Sequence, residues 1–240
     1  MNNSKAAMSW IKLAVVAACA ALLAFALVGC GSSSSSDQKS DDTKKESVEM
    51  PTESKPIVVD KEKKEIRYLA EVNDIYFTEN TRHAIVYKGG SNGDKSVLTG
   101  LGDEKEFYQD MMDLGFTPGN NLTAADMSAA PGEGKSIEGD KLDVTIQWDG
   151  KDPFPIEKCF KTTNGEQRQA DWRFGGNIDR AKAKNTGCVL CLDSCAVGIC
   201  SDAAWESNTT TATNYTWFNG REDVLPAGGT KVVVTFKAKA

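Results

Sequence analysis

An uncharged apolar run near the amino terminus removes the first part of this chain from any globular fold. Lys5 and Lys12 supply positive charge, and the run covers residues 13–28, ending in Leu27-Val28-Gly29-Cys30. A positive segment followed by a short apolar one is typical of a cleaved export signal, and the run is too short for a stable membrane span. The sequence therefore predicts that residues 1–29 are removed and take no part in the folded domain.

The residues before Cys30 resemble the signal of bacterial lipoproteins. An apolar residue at Leu27, a small residue at Gly29 and a cysteine at the cut imply cleavage before Cys30 and acylation of its thiol and new amino group. Each buried methylene contributes about 0.8 kcal/mol, so two or three acyl chains hold a protein at a membrane. We expect an extracytoplasmic protein, anchored to the cell membrane by its N-terminal lipid.

A Ser-rich and then charged segment follows the predicted cleavage site and extends over residues 30–55. Since it contains almost no apolar side chain, it cannot offset the entropy lost on ordering. We predict a flexible tether between the lipidated Cys30 and a domain at residues 56–240. The chain has a formal net charge of −6, and no basic cluster remains after the signal is removed. We therefore expect no nucleic-acid partner.

Hydrophobic periodicity in residues 56–240 predicts one α+β domain built on a mostly antiparallel β-sheet with a few short helices. Alternating apolar residues predict strands at 57–59, 66–72, 84–87, 142–148 and 232–236. The clearest helix lies at 103–114, with a capping box at its start and Gly115 at its end. Its buried face is expected to contain Phe107, Tyr108, Met111, Met112 and Leu114. A second helix, at 178–184, is expected to be capped by Asn177.

Cysteines carry the expected chemistry of the domain. Cys19 leaves with the signal and Cys30 is lipidated, and four of the remaining five lie close together at Cys188, Cys191, Cys195 and Cys200. Free thiols at this density would oxidise outside the cytoplasm unless they were bound or paired. Three interpretations stay open. The thiolates can converge on a zinc ion or an iron–sulfur cluster, the first pair can exchange disulfides, or the set can form structural disulfides.

Loop-closure entropy ranks the possible bridges. Closing Cys188 to Cys191 contributes about 2 kcal/mol, whereas closing Cys159 to Cys200 contributes roughly 4 kcal/mol. A Cys159–Cys200 disulfide would leave Cys188, Cys191 and Cys195 as a compact set of three thiols. Without that disulfide, Cys200 is a candidate fourth metal ligand.

His83 is the only histidine in the chain, and it follows Arg82 at the start of a predicted strand. The two residues are candidates for an anion contact or a pH-sensitive switch, and the alternative is a structural histidine. The sequence has no Gly-x-Ser-x-Gly elbow and no readable Ser/His/Asp or Cys/His arrangement. These absences favour a binding or redox accessory over an enzyme.

The cysteine run and several other motifs resemble the YdjY-domain family. The run itself reads Gly187-Cys188-Val189-Leu190-Cys191 and continues to Cys195. The other motifs are Thr81-Arg82-His83, Gly89 to Lys95, Pro118-Gly119-Asn120-Asn121, Glu138-Gly139-Asp140, Arg173-Phe174-Gly175-Gly176-Asn177, Gly220-Arg221 and Val224-Leu225-Pro226. The resemblance extends from about residue 56 to the carboxyl terminus. The family pattern places a proline after the third cysteine, where this chain has Ala196, and it includes neither Cys159 nor Cys200.

Members of this family are often described as ferredoxin-like or iron–sulfur-binding. The resemblance therefore implies a metal or iron–sulfur electron-transfer accessory that acts with a redox partner protein. The alternatives are a thiol–disulfide redox protein using Cys188 and Cys191, and a solute-binding or structural lipoprotein whose cysteines only form disulfides.

Overall fold

The computed structural model describes residues 49–164, 169–211 and 216–239. The signal, Cys30 and residues 31–48 of the predicted tether lie outside the described residues. Residues 49–55 pack against the domain, since the Glu49 carbonyl oxygen accepts a hydrogen bond of 3.0 Å from Arg67 Nη1 and Pro51 is buried. The folded part of the chain therefore includes residues 49–55, which corrects the domain boundary predicted at residue 56.

Twelve strands and two helices make up the described residues. The strands are β1 (Ile57–Asp60), β2 (Glu65–Val72), β3 (His83–Tyr87), β4 (Leu98–Gly100), β5 (Leu142–Trp148), β6 (Lys151–Pro155), β7 (Phe160–Thr162), β8 (Trp172–Phe174), β9 (Cys188–Cys191), β10 (Cys200–Asp202), β11 (Phe218–Gly220) and β12 (Lys231–Ala238), and the helices are α1 (Glu104–Asp113) and α2 (Ile178–Lys184). Short 3-10 helices lie at Asp74–Phe77, Asp126–Ser128 and Ile156–Cys159. No helix in the described ranges is long and apolar enough to cross a membrane.

Ten strands form one sheet in the order β6-β5-β12-β2-β4-β3-β9-β10-β8, with β1 paired to β2. Only the β3–β4 and β9–β10 pairs are parallel. The remaining two strands, β7 and β11, form a separate antiparallel pair. The prediction of an α+β domain on a mostly antiparallel sheet is confirmed.

The longest strands carry the core because their alternation places apolar side chains on one face of the sheet. In β2 that face contains Ile66, Tyr68, Ala70 and Val72, all at most 3% exposed. The neighbouring β12 pairs with β2 from residue 231 to residue 237. The two strands together form the centre of the sheet.

Helix α1 lies against this centre. The Asp103 carboxylate accepts a 2.7 Å hydrogen bond from the Lys105 backbone nitrogen, and Gly115 ends the helix with a φ of +82°. Phe107 is buried, with its ring centroid 5.7 Å from that of Tyr68. Met112 is 36% exposed, which corrects its predicted burial. It lies five residues after Phe107, about 140° around the helix and away from the sheet.

Helix α2 was also predicted with its observed bounds, but the role of Asn177 was not. Asn177 has a φ of +49° and makes no side-chain capping bond. Its carboxamide points to the loop that follows the cysteine strand, as described below.

Candidate metal or redox site

Cys188 and Cys191 are the two ends of β9, an interior strand between β3 and β10. Side chains three residues apart point to opposite faces of a regular strand. The register between β3 and β9 is irregular, however, because Ile85 pairs with Leu190, one residue out of step with the His83–Cys191 and Val86–Cys188 pairs on either side. Such an irregularity turns side chains away from strict alternation. It allows the sulfurs of Cys188 and Cys191 to converge on the same side.

His83 completes this convergence from the first residue of β3. Its Nδ1 lies 3.7 Å from Cys188 Sγ and 3.9 Å from Cys191 Sγ. The three donor atoms lie within 4.8 Å of one another, which is close enough to share one metal ion. Burial lowers the pKa of His83, but the charge and hydrogen bond of Cys188 outweigh burial and the net pKa is raised. His83 was predicted from the sequence as an anion contact or pH-sensitive switch, or else as a structural histidine, and none of these predictions included contact with the cysteines.

Cys195 joins the same buried cluster from the loop after β9. It packs with Cys188, Cys191 and Val86, and only 2% of it is exposed. Two partly buried side chains pack against the cluster, namely Met127 and, from the same loop as Cys195, Val197. The Met127 sulfur accepts a 3.2 Å hydrogen bond from the Ala196 backbone nitrogen.

Asn177 holds the Cys195 loop in place. Its Nδ2 donates to the carbonyl oxygens of Cys195 at 3.0 Å and of Gly198 at 3.1 Å. Position 198 requires glycine, because a Cβ there would lie 2.9 Å from the Cys191 sulfur. This positioning role of Asn177 was not predicted from the sequence, where the only available signal was the αL preference of an asparagine that follows two glycines.

Motifs distant in sequence converge behind Asn177. The Asn120 side-chain oxygen accepts a hydrogen bond from the Asn177 backbone nitrogen at 2.8 Å. The Asn120 backbone nitrogen donates to the Gly175 carbonyl oxygen at 2.8 Å. A Cβ on Gly176 would lie 2.5 Å from Pro118 Cβ, so glycine permits the close approach of the two loops. Two of the motifs that carried the family resemblance, at residues 118–121 and 173–177, therefore support the cysteine loop.

Hydrogen bonding among the three thiols separates their pKa values. A hydrogen bond from Cys191 lowers the pKa of Cys188 most, and the charge of His83 lowers it further, against the effect of burial. The pKa of Cys195 is lowered by its hydrogen bond with Cys191 and by Arg82, again against burial. Hydrogen bonds to Cys188 and Cys195, together with burial, raise the pKa of Cys191. Loss of a proton from Cys188 or Cys195 is therefore favoured over loss of a proton from Cys191.

Arg82 forms a buried ion pair beside the thiols. Its Nε donates to Asp193 Oδ1 at 3.1 Å and its Nη2 to Oδ2 at 2.5 Å. Burial lowers the pKa of Arg82, but Asp193 and the neighbouring cysteines outweigh burial and the net pKa is raised. Two of its three nitrogens are thus engaged inside the protein, which argues against the anion contact predicted at Arg82.

Cys159 and Cys200 lie apart from this cluster. Cys159 ends a 3-10 helix next to β7, whereas Cys200 begins β10 in the large sheet. Both are free, buried thiols, so the predicted disulfide between them is not formed in the structure. Burial raises the pKa of Cys159 to about 12, and burial alone raises that of Cys200. Cys200 packs in the main apolar core and not with the other three cysteines, which places the predicted fourth ligand outside the cluster.

Comparisons with known proteins agree with the resemblance seen in the motifs. The family model described as the YdjY domain matches residues 57–237. The chain is 36% identical over 217 residues to the "Uncharacterized protein YdjY" of Escherichia coli (strain K12), covering 90% of this chain and 93% of that protein. No solved structure matches the chain. The chain belongs to the YdjY-domain family.

Proposed function

We propose that this chain is a lipid-anchored, extracytoplasmic metal-binding module in which His83, Cys188 and Cys191 hold one metal ion and Cys195 is the fourth ligand. The observation that carries the proposal is the convergence of one imidazole nitrogen and two sulfurs within 4.8 Å. Iron at this site would serve electron transfer to a partner protein, whereas zinc would stabilise the fold.

The separations between the donor atoms favour a single ion. A tetrahedral ion about 2.3 Å from sulfur and about 2.0–2.1 Å from nitrogen places these two ligands roughly 3.6 Å apart. His83 Nδ1 lies 3.7 Å and 3.9 Å from the two sulfurs. In a four-iron cluster each thiolate is bound to a different iron, so the sulfurs lie farther from one another. The sulfurs of Cys188 and Cys191 lie within 4.8 Å of each other, which supports a single ion over an iron–sulfur cluster of that type.

Burial supports metal binding over exchange with another protein. Cys188 and Cys191 are fully buried, and Cys195 is 2% exposed. A disulfide partner must bring its own sulfur into contact with the attacking thiolate, which requires access. A metal ion needs only a narrow path, and the partly exposed His83 lies at the edge of the site.

Cobalt titration of the reduced protein, kept free of oxygen, tests the proposal. We expect one cobalt ion per chain, with near-ultraviolet charge-transfer absorption from thiolate ligands. Chelation of the bound ion should lower the unfolding midpoint, because ligand binding to the folded state contributes to stability. Cys191→Ser should abolish the absorption.

Cys159→Ser is the matched control, because Cys159 is as fully buried as Cys191 but lies outside the cluster. Retained absorption is expected for Cys159→Ser and for Cys200→Ser. Substoichiometric cobalt, or unchanged binding in His83→Ala, would contradict the proposed ligand set. Iron with acid-labile sulfide in the isolated protein would replace the single ion by a cluster.

A second candidate function is thiol–disulfide exchange, which is favoured by the lowered pKa of Cys188 beside His83. The Cys188 thiolate would attack a partner disulfide and release one partner thiolate, and Cys191 would then displace the other. The partner would be reduced and the Cys188–Cys191 pair oxidised. In that case Cys191→Ser should accumulate a mixed disulfide through Cys188.

The proposed location depends on Leu27-Val28-Gly29-Cys30 and the apolar run before it. Acylation at Cys30 would place the metal site within reach of other membrane-bound proteins, and a tether would let it approach them. Labelled fatty acid should be incorporated into the wild-type chain in cells.

A further inference from the structure

A polar cavity beside Asn177 is lined by an arginine that forms no ion pair within the described residues. The cavity has a volume of about 500 Å³ and is lined by Tyr108, Asn120, Leu122, Asn177, Ile178, Asp179 and Arg180. It lies between the 118–121 loop and α2. A volume of this size accommodates a small molecule.

Arg180 is the unusual group in this cavity. Its Nε is fully buried and has no hydrogen-bond acceptor among the described residues. The Nε of Arg173 is also buried without an acceptor, but Arg173 is ion-paired through Nη2, as Arg67, Arg82 and Arg221 are ion-paired with their own carboxylates. A buried donor left without an acceptor costs free energy comparable to a lost hydrogen bond, so such groups mark places where an acceptor is expected.

The neighbouring groups add donors. The Asn120 oxygen is already used by the Asn177 backbone nitrogen, so its amide nitrogen is the part left to bind a ligand. The hydroxyl group of Tyr108 is a further potential donor. Asp179 is the one carboxylate in the lining, and it is exposed to solvent. Two side chains besides Arg180 can therefore donate a hydrogen bond to a bound anion.

We infer that this cavity binds a small oxyanion, either a phosphate or the carboxylate of an organic acid, with Arg180 as its principal ligand. The donors that a bound anion would contact are the two terminal nitrogens, since Nε is fully buried, and their N–H groups match two oxygens of one carboxylate or phosphate group. The Asn120 amide and the Tyr108 hydroxyl would hold a third oxygen. The site is independent of the proposed metal, because none of its donors belongs to the thiol cluster.

Calorimetric titration of the full-length protein in detergent tests this inference. Orthophosphate and succinate are titrated separately at constant ionic strength, with and without cobalt in the protein. We expect saturable binding of one anion per chain, the same in both metal states. The anion that binds more tightly identifies the source as phosphate or carboxylate. Arg180→Gln should weaken that binding at least about tenfold, because a charged hydrogen bond is lost.

Lys182→Gln is the matched control, since Lys182 lies on the same helix, is exposed and has the same charge. Binding should be retained in this variant. Arg180→Lys keeps the charge but loses the paired N–H donors of the guanidinium, so it should bind the anion with intermediate affinity. Circular dichroism verifies the fold of each variant. Absence of saturable binding by both anions, full binding in Arg180→Gln, or an equal loss in Lys182→Gln would overturn the inference.

Discussion

Two arginine–aspartate ion pairs with nearly identical contact distances allow a buried pair to be compared with an exposed one. Arg82 and Asp193 are joined by contacts of 3.1 Å and 2.5 Å, and Arg221 and Asp223 by contacts of 3.2 Å and 2.5 Å. Their exposure differs greatly, because the Asp193 side chain is 0% exposed and that of Asp223 is 66% exposed. We predict that Asp193→Asn is far more destabilising than Asp223→Asn.

The magnitude follows from the charge that each substitution leaves behind. An exposed pair contributes about 0.2–1 kcal/mol, because water solvates the remaining arginine. Breaking a buried pair costs about 3–5 kcal/mol, since the remaining charge is uncompensated. Arg82 keeps 16% exposure, which puts the expected loss for Asp193→Asn near the lower limit, about 3 kcal/mol. For a domain of this size that corresponds to a fall of roughly 6–12 °C in the thermal midpoint.

Urea unfolding followed by circular dichroism measures both variants, with a chelator present so that metal does not contribute. The midpoint should shift without a change in slope. The double variant Arg82→Met with Asp193→Leu should recover most of the lost stability, because it removes both charges. Equal losses in Asp193→Asn and Asp223→Asn would refute the reasoning that burial decides the cost.

Three further predictions concern α1, the cysteine loop and the anchor. Burial, Glu106 and Asp113 raise the pKa of Asp110 to about 6. Because this folded-state pKa exceeds the unfolded value, stability falls as pH rises from about 4 to about 6. Asp110→Asn should therefore raise the free energy of unfolding by about 1 kcal/mol at pH 8, after allowance for solvent screening, and leave it unchanged at pH 3. Urea unfolding measures both values, and an equal gain at the two pH values would contradict this prediction. Asn177→Gly retains a residue suited to positive φ but loses two hydrogen bonds, so it should lower the free energy of unfolding by about 1–3 kcal/mol and weaken cobalt binding. Unchanged cobalt binding would contradict the positioning role of Asn177. Cys30→Ser should abolish incorporation of labelled fatty acid and partitioning into detergent, and continued incorporation would refute the lipid anchor.

Hydrophobic periodicity and capping residues were sufficient to predict the long strands and the helices from the sequence. The alternation of Ile66, Tyr68, Ala70 and Val72 predicted β2, and the cap at Asp103 predicted the start of α1. Three-residue strands such as β4 and β10 were not predicted, because three residues contain too little alternation to distinguish a strand from a loop. Their conformation depends on hydrogen bonds to partners that are distant in sequence.

The cysteine spacing likewise determined that Cys188, Cys191 and Cys195 would lie close together, since short spacers cannot carry them far apart. Tertiary structure alone decided the rest of the site. His83 reaches the thiols because β3 pairs with β9 through an irregular register, and Cys200 leaves them because β10 carries it into the apolar core. Strand pairing is set by the burial of whole faces, and the sequence around any one cysteine does not contain that information.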